Sequence, residues 1–78
     1  MGEPPPVRVD VRDMQCAQAL AQAGVAMKGL VPGAMLELIC NAEDVQHDLL
    51  VWAKELHYPV VASEVRDGDT WLTIQKGP

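Results

Sequence analysis

Val7-Arg8-Val9-Asp10-Val11 runs by way of Arg12-Asp13-Met14-Gln15 into Cys16-Ala17-Gln18-Ala19-Leu20. The valines alternate with charged residues, the period-two pattern of a strand with one face buried and the other wet. From Cys16 to Met27 the chain then fills with Ala, Gln, Leu and Met, good or acceptable helix formers. Leu20, Ala23, Met27 and Leu30 recur at three- and four-residue steps, which predicts an apolar helical stripe with Cys16 at its head. Gly29 and the Pro32-Gly33 pair end that helix and turn the chain.

Downstream, Met35-Leu36-Glu37-Leu38-Ile39-Cys40 reads as a more apolar strand, expected nearer the middle of a sheet. Asn41 with Asp44 resembles a capping arrangement that opens a second helix. Val45, Leu49, Trp52 and Leu56 form its stripe, and Tyr58-Pro59 ends it. Val60 to Val65 is a third strand, Asp67-Gly68-Asp69 a hairpin turn and Thr70 to Gln75 a fourth strand. Leu72 and Ile74 share one face of the fourth strand, with Trp71, Thr73 and Gln75 on the other. The order is βαβαββ. It predicts a four-stranded mixed sheet with two helices on one face, an α/β (α+β) two-layer sandwich. Residues 1–6 are expected to form a flexible Pro-rich tail and 7–77 a single domain.

Composition narrows the function. The chain has 78 residues, 49% of them apolar and none Phe, so its core is built from aliphatic side chains with two Trp. A net charge of −5 argues against nucleic acid, which needs a basic stripe, and fits solubility or a basic protein partner. Two cysteines are too few for a disulfide scaffold. The opening Met1-Gly2-Glu3-Pro4-Pro5-Pro6 has no basic and apolar regions of a signal peptide, and no apolar run approaches a membrane span. The expectation is a cytoplasmic chain with reduced thiols, no cofactor, no membrane contact and a monomeric state.

Cys16 is the residue with chemistry. At a strand-to-helix turn it meets unpaired N–H groups and the positive end of the helix dipole, which favour the thiolate. The opposing reading is a small buried hydrophobe, the usual role of free Cys. Residues alone leave both open.

The run Val9-Asp10-Val11-Arg12-Asp13-Met14-Gln15-Cys16 resembles the opening of the TusA/SirA family, a Leu-Asp-x-x-Gly-Leu-x-Cys segment leading into Cys-Pro-x-Pro. Leu30-Val31-Pro32-Gly33-Ala34-Met35-Leu36 is similar to its Leu-x-Pro-Gly-x-x-Leu loop and strand, Asp48-Leu49 to an Asp-Ile in its second helix, and Leu72-Thr73-Ile74-Gln75-Lys76-Gly77 to its closing strand. The matches keep order and spacing from about residue 9 to residue 77. The resemblance implies a βαβαββ fold and a sulfur carrier. Its motif cysteine, here Cys16, takes sulfane sulfur as a persulfide from a protein donor (a cysteine desulfurase, rhodanese-like or DsrE-like protein) and passes it to a protein acceptor. That is a sulfurtransferase-type relay rather than an enzyme acting on a small molecule.

One departure is pointed: Cys16-Ala17-Gln18-Ala19 stands where the family has Cys-Pro-x-Pro. Alanine keeps the helix but loses proline's preset φ. The alternative function is therefore a non-catalytic interaction or thiol-regulatory module that keeps the fold without sulfur transfer. Ala17 and Gln18 beside the thiol, Asp48 from the family pattern and Lys76 near the C-terminus are candidate docking residues. Asp48 is expected to face away from the second helix's apolar stripe. Cys40 is a possible secondary thiol, because parallel first and second strands would end at one edge of the sheet. No spacing of His47, His57 and the cysteines matches a zinc signature. Trp71 either joins a docking face or covers the open side of the sheet. Gly24 reads as a close helix–sheet contact.

Overall fold

The computed structural model describes residues 5–77, so most of the expected N-terminal tail lies outside the described residues. The elements are β1 (Val7–Asp10), α1 (Cys16–Lys28), β2 (Met35–Cys40), α2 (Glu43–Glu55), β3 (Val60–Arg66) and β4 (Asp69–Gln75). The sheet order is β1-β2-β4-β3. β1 runs parallel to β2, and β4 pairs antiparallel with both β2 and β3. This is the expected βαβαββ order with a mixed sheet. Apolar β2 sits between β1 and β4, as its composition requires.

The core lies between the sheet and the helices. Leu36, Leu38, Cys40, Leu72 and Ile74 meet Ala19, Ala23 and Met27 of α1 and Val45, Leu49 and Ala53 of α2. Each helix stripe is met in part: Ala23 and Met27 of α1 and Val45 and Leu49 of α2 are buried as expected. Ala19 is fully buried where Leu20 was expected to lead, and Leu20 is half-buried. In α2, Ala53 fills the core, Leu56 is 50% exposed, and half-buried Trp52 meets Tyr58 edge-on at 5.6 Å. Alanines share the buried helix faces with Met27, Val45 and Leu49, while Leu20 and Trp52 pack at the margin. Gly24 is not the close contact expected of it: a Cβ there would meet nothing within 4 Å.

Among the described residues no helix covers the opposite face of the sheet. Ile39, only 4% exposed, is the register partner of Trp71 on this side. The indole is flanked by Arg8 at 4.9 Å and Arg66 at 4.6 Å. Glu37 and Glu64 pair with those two arginines. Of the two readings of Trp71, it covers the open side. At the far edge, β3 is exposed along its whole length, including Val61 at 48% and Val65 at 72%, and its register with β4 shifts between Val60 and Ala62.

Candidate functional site

Parallel pairing of β1 and β2 brings the loops that follow them to one edge of the sheet. The Val11 N–H extends that ladder to the Ile39 carbonyl at 2.9 Å, and Val11 is 1% exposed. Arg12 then turns outward and bonds Asp10 at 2.7 Å and Asp69 at 2.9 Å. It ties the end of β1 to the hairpin across the sheet. Its hydrogen bonds hold the Asp10 carboxyl down at about 2.

Asp13 is left-handed, with φ 63°, a conformation that Asp and Asn tolerate best among side-chain-bearing residues. Asn41 holds it from the second loop. Its carbonyl oxygen accepts the Asp13 N–H at 3.0 Å, and its amide donates to the Asp13 carboxylate at 2.9 Å. Asn41 is therefore a clasp between two loops and not the helix cap its spacing predicted. The residue preceding α2 is Ala42, which makes no side-chain cap, and Asp44 bonds its immediate neighbour Val45. Replacing Asn41 with Ala removes both clasp bonds. We expect a loss of about 1–2 kcal/mol, read as a lower urea midpoint with an unchanged slope.

The clasped turn delivers Cys16 as the first residue of α1, half-buried and packed at the margin of the core. The first helical bond runs from the Ala19 N–H to the Gln15 carbonyl, so the Ala17 and Gln18 N–H groups lie in the unbonded first turn. Both residues are exposed beside the thiol. Alanine at 17 also allows residue 16 its helical conformation, which a following proline disfavours.

The electrostatics reverse the expected sign. Asp48 is half-buried on α2, and its carboxylate and that of Asp44 bear on the Cys16 thiol electrostatically. Hydrogen bonding to Asp48, then partial burial and the charges of Asp44 and Asp48, push the Cys16 thiol up to about 11. Asp48 lies off the buried face formed by Val45, Leu49 and Ala53 and is half-buried. Sequence reasoning missed Asp44 and the Asn41–Asp13 clasp; only the tolerance of Asp for left-handed backbone hinted at the latter.

The other candidates fall elsewhere. Cys40 is free but wholly enclosed, and burial raises its thiol pKa, with Asp69 adding to the effect. Lys76 follows β4 at the opposite end of the sheet and donates to the Leu30 carbonyl at 2.6 Å. His47 is exposed and lines a shallow groove with Glu43, Gln46 and Leu50. Among the described residues no group of three or more His, Cys, Asp or Glu could hold a metal ion. No helix among them is long and apolar enough to cross a membrane.

Comparison with known proteins follows the same outline. No curated protein matches significantly. The chain is similar in structure to a SirA-like protein from Desulfitobacterium hafniense, with a TM-score of 0.81 at 19% identity over 92% of this chain and 99% of that one. At that identity the likeness speaks for the fold. A family model described as Sulfurtransferase TusA matches residues 7–76, from the first residue of β1 to just past the end of β4. With nearly its whole length matched, the chain belongs to the TusA sulfurtransferase family.

Proposed function

We propose that this protein is a sulfur carrier that holds sulfane sulfur as a persulfide on Cys16 and relays it between a protein donor and a protein acceptor. One observation carries the reading. The cysteine at the family's motif position is the partly exposed one of the two, the first residue of α1, where Gln15 makes no side-chain cap. The chemistry asks little of the fold. The Cys16 thiolate attacks the outer sulfur of a donor persulfide. A new S–S bond forms on Cys16, the donor's S–S bond breaks, and the donor cysteine leaves as its thiolate. In the second half an acceptor thiolate attacks the same outer sulfur, and Cys16 departs with the electron pair. No net oxidation occurs and no cofactor enters.

The high thiol pKa and the two missing prolines favour a second reading, a module that keeps the fold for binding alone. Intact mass separates the two. Reduced protein is incubated with a persulfide-loaded cysteine desulfurase and, separately, with polysulfide. The carrier gains one sulfur. No gain from either source, with the thiol shown accessible by alkylation, overturns the carrier and leaves the binding module.

A further inference from the structure

Two firmly held residues bracket the sulfur. Val11 is buried and still bonded to the Ile39 carbonyl, and Ala19 is fully buried on α1. Between them the chain reverses from strand to helix, with only Arg12 to Gln15 ahead of Cys16. Arg12 is pinned from behind, its N–H donating to the Asp10 carboxylate at 3.0 Å. Asp13 makes the reversal at φ 63°, a conformation that costs energy for any residue with a Cβ. Met14 then depends on packing at the core margin, and Gln15 makes no side-chain cap. Ala17, next after the thiol, presets no φ as a proline would. The direction in which α1 leaves the turn, and with it the place of the sulfur, is therefore set at Asp13.

Asn41 holds Asp13 there. It follows Cys40, wholly buried at the end of β2, so the clasp is anchored on the sheet. A primary amide supplies both an acceptor and a donor. Here the acceptor takes the Asp13 N–H and the donor takes the Asp13 carboxylate, fixing backbone and side chain together. We propose, resting on the sulfur-carrier reading of Cys16, that Asn41 is a positioning residue for sulfur transfer: by keeping Asp13 left-handed it sets the Cys16 sulfur on the line of attack. Exchange runs along the S–S axis of the donor persulfide. The new S–S bond forms on Cys16 as the donor's bond breaks and the donor thiolate leaves with the electron pair. Asn41 enters neither bond. A misplacement of about 1 Å nevertheless costs such a reaction up to about a hundredfold in rate.

The test follows sulfur uptake by intact mass, with the full chain at varied concentration against a persulfide-loaded cysteine desulfurase. The temperature is one at which circular dichroism shows every variant folded. Asn41→Ala is expected to lower kcat about tenfold or more while KM stays within about threefold of wild type. Asn41→Ala/Asp13→Gly is the rescue. Glycine adopts a positive φ without a clasp, so kcat is expected to return to within about threefold of wild type. Amide shifts of residues 14–18 are expected to move in the single variant and return in the double one. Ile74→Val, a buried truncation at the far end of β4, lowers stability away from the turn and is expected to change kcat by less than about twofold. Asn41→Ser, too short to make both bonds, takes the place of the alanine variant if that one is unfolded. A folded Asn41 variant within about twofold of wild type in kcat overturns the proposal. So does a slow variant that the glycine substitution leaves equally slow, because Asn41 would then act other than through the Asp13 backbone. A wild type that gains no sulfur defeats the carrier reading and this inference with it, whereas wild-type uptake unmoved by Asn41→Ala defeats this inference alone.

Discussion

Replacing Cys16 with serine is expected to reduce sulfur uptake from a persulfide donor to the level of a blank. Oxygen does not form the S–S bond that holds sulfane sulfur, so nothing at this position can substitute for the thiol. The exchange is close to isosteric, and the residue is half-buried on a first helical turn where serine is well tolerated. Stability is therefore expected within about 1 kcal/mol of wild type, which separates a chemical defect from a folding one. Cys40→Ser is the necessary partner experiment. That side chain is wholly buried, so its hydroxyl costs about 1–3 kcal/mol, and the assay belongs at low temperature where the variant remains folded. It should still take up one sulfur. Uptake that survives Cys16→Ser and vanishes in Cys40→Ser would move the chemistry to the core and contradict the assignment.

The second large effect is on the fold. Leu38 lies in β2, between β1 and β4, opposite Val9 on one side and Leu72 on the other, and is fully enclosed. Leu38→Ala removes three heavy carbons where no loop can collapse to refill the space, and is expected to cost about 3–5 kcal/mol. A domain of this size has about 4–12 kcal/mol in total. With a urea slope of about 1 kcal/mol/M, the midpoint should fall by about 3 M or more, leaving the variant near the edge of folding. Val25→Ala is the control, because Val25 is 71% exposed on α1 and alanine is the better helix former. Its midpoint should hold or rise slightly. A loss below about 1 kcal/mol at Leu38 would mean that β2 is not the centre of the packing.

Much of this architecture is legible in the chain because strand periodicity is a local signal. Val7, Val9 and Val11 alternate with charges, and Val9 and Val11 do turn toward the core. The apolar run of β2 foretells its central place for the same reason, since it has no face left for water. Helix phase is less legible. The apolar stripes of α1 and α2 are broad, and the large residues Leu20, Trp52 and Leu56 draw attention from Ala19 and Ala53, which are buried beside Met27, Val45 and Leu49. Close approach of two layers selects the smallest side chain, a choice made by the opposing surface and invisible along the helix itself. The site fails to read through for a related reason. The helix end beside Cys16 is local and predicts an acidic thiol, whereas Asp44 and Asp48 arrive from another helix and decide the opposite. Asn41 likewise finds its partner 28 residues back, and nothing in the intervening chain marks the pairing.

Exposed β3 presents a row of backbone donors and acceptors with valines between them, which ordinarily invites another strand to add on and build an extended sheet. The shift at Val60–Ala62 interrupts that row, because a bulge bends the strand and strengthens its local twist. Glu64 and Arg66 then put charge on the remaining straight half. A variant that straightened the hairpin is expected to gain a better-formed ladder and to lose solubility, read as a lower concentration at the onset of turbidity.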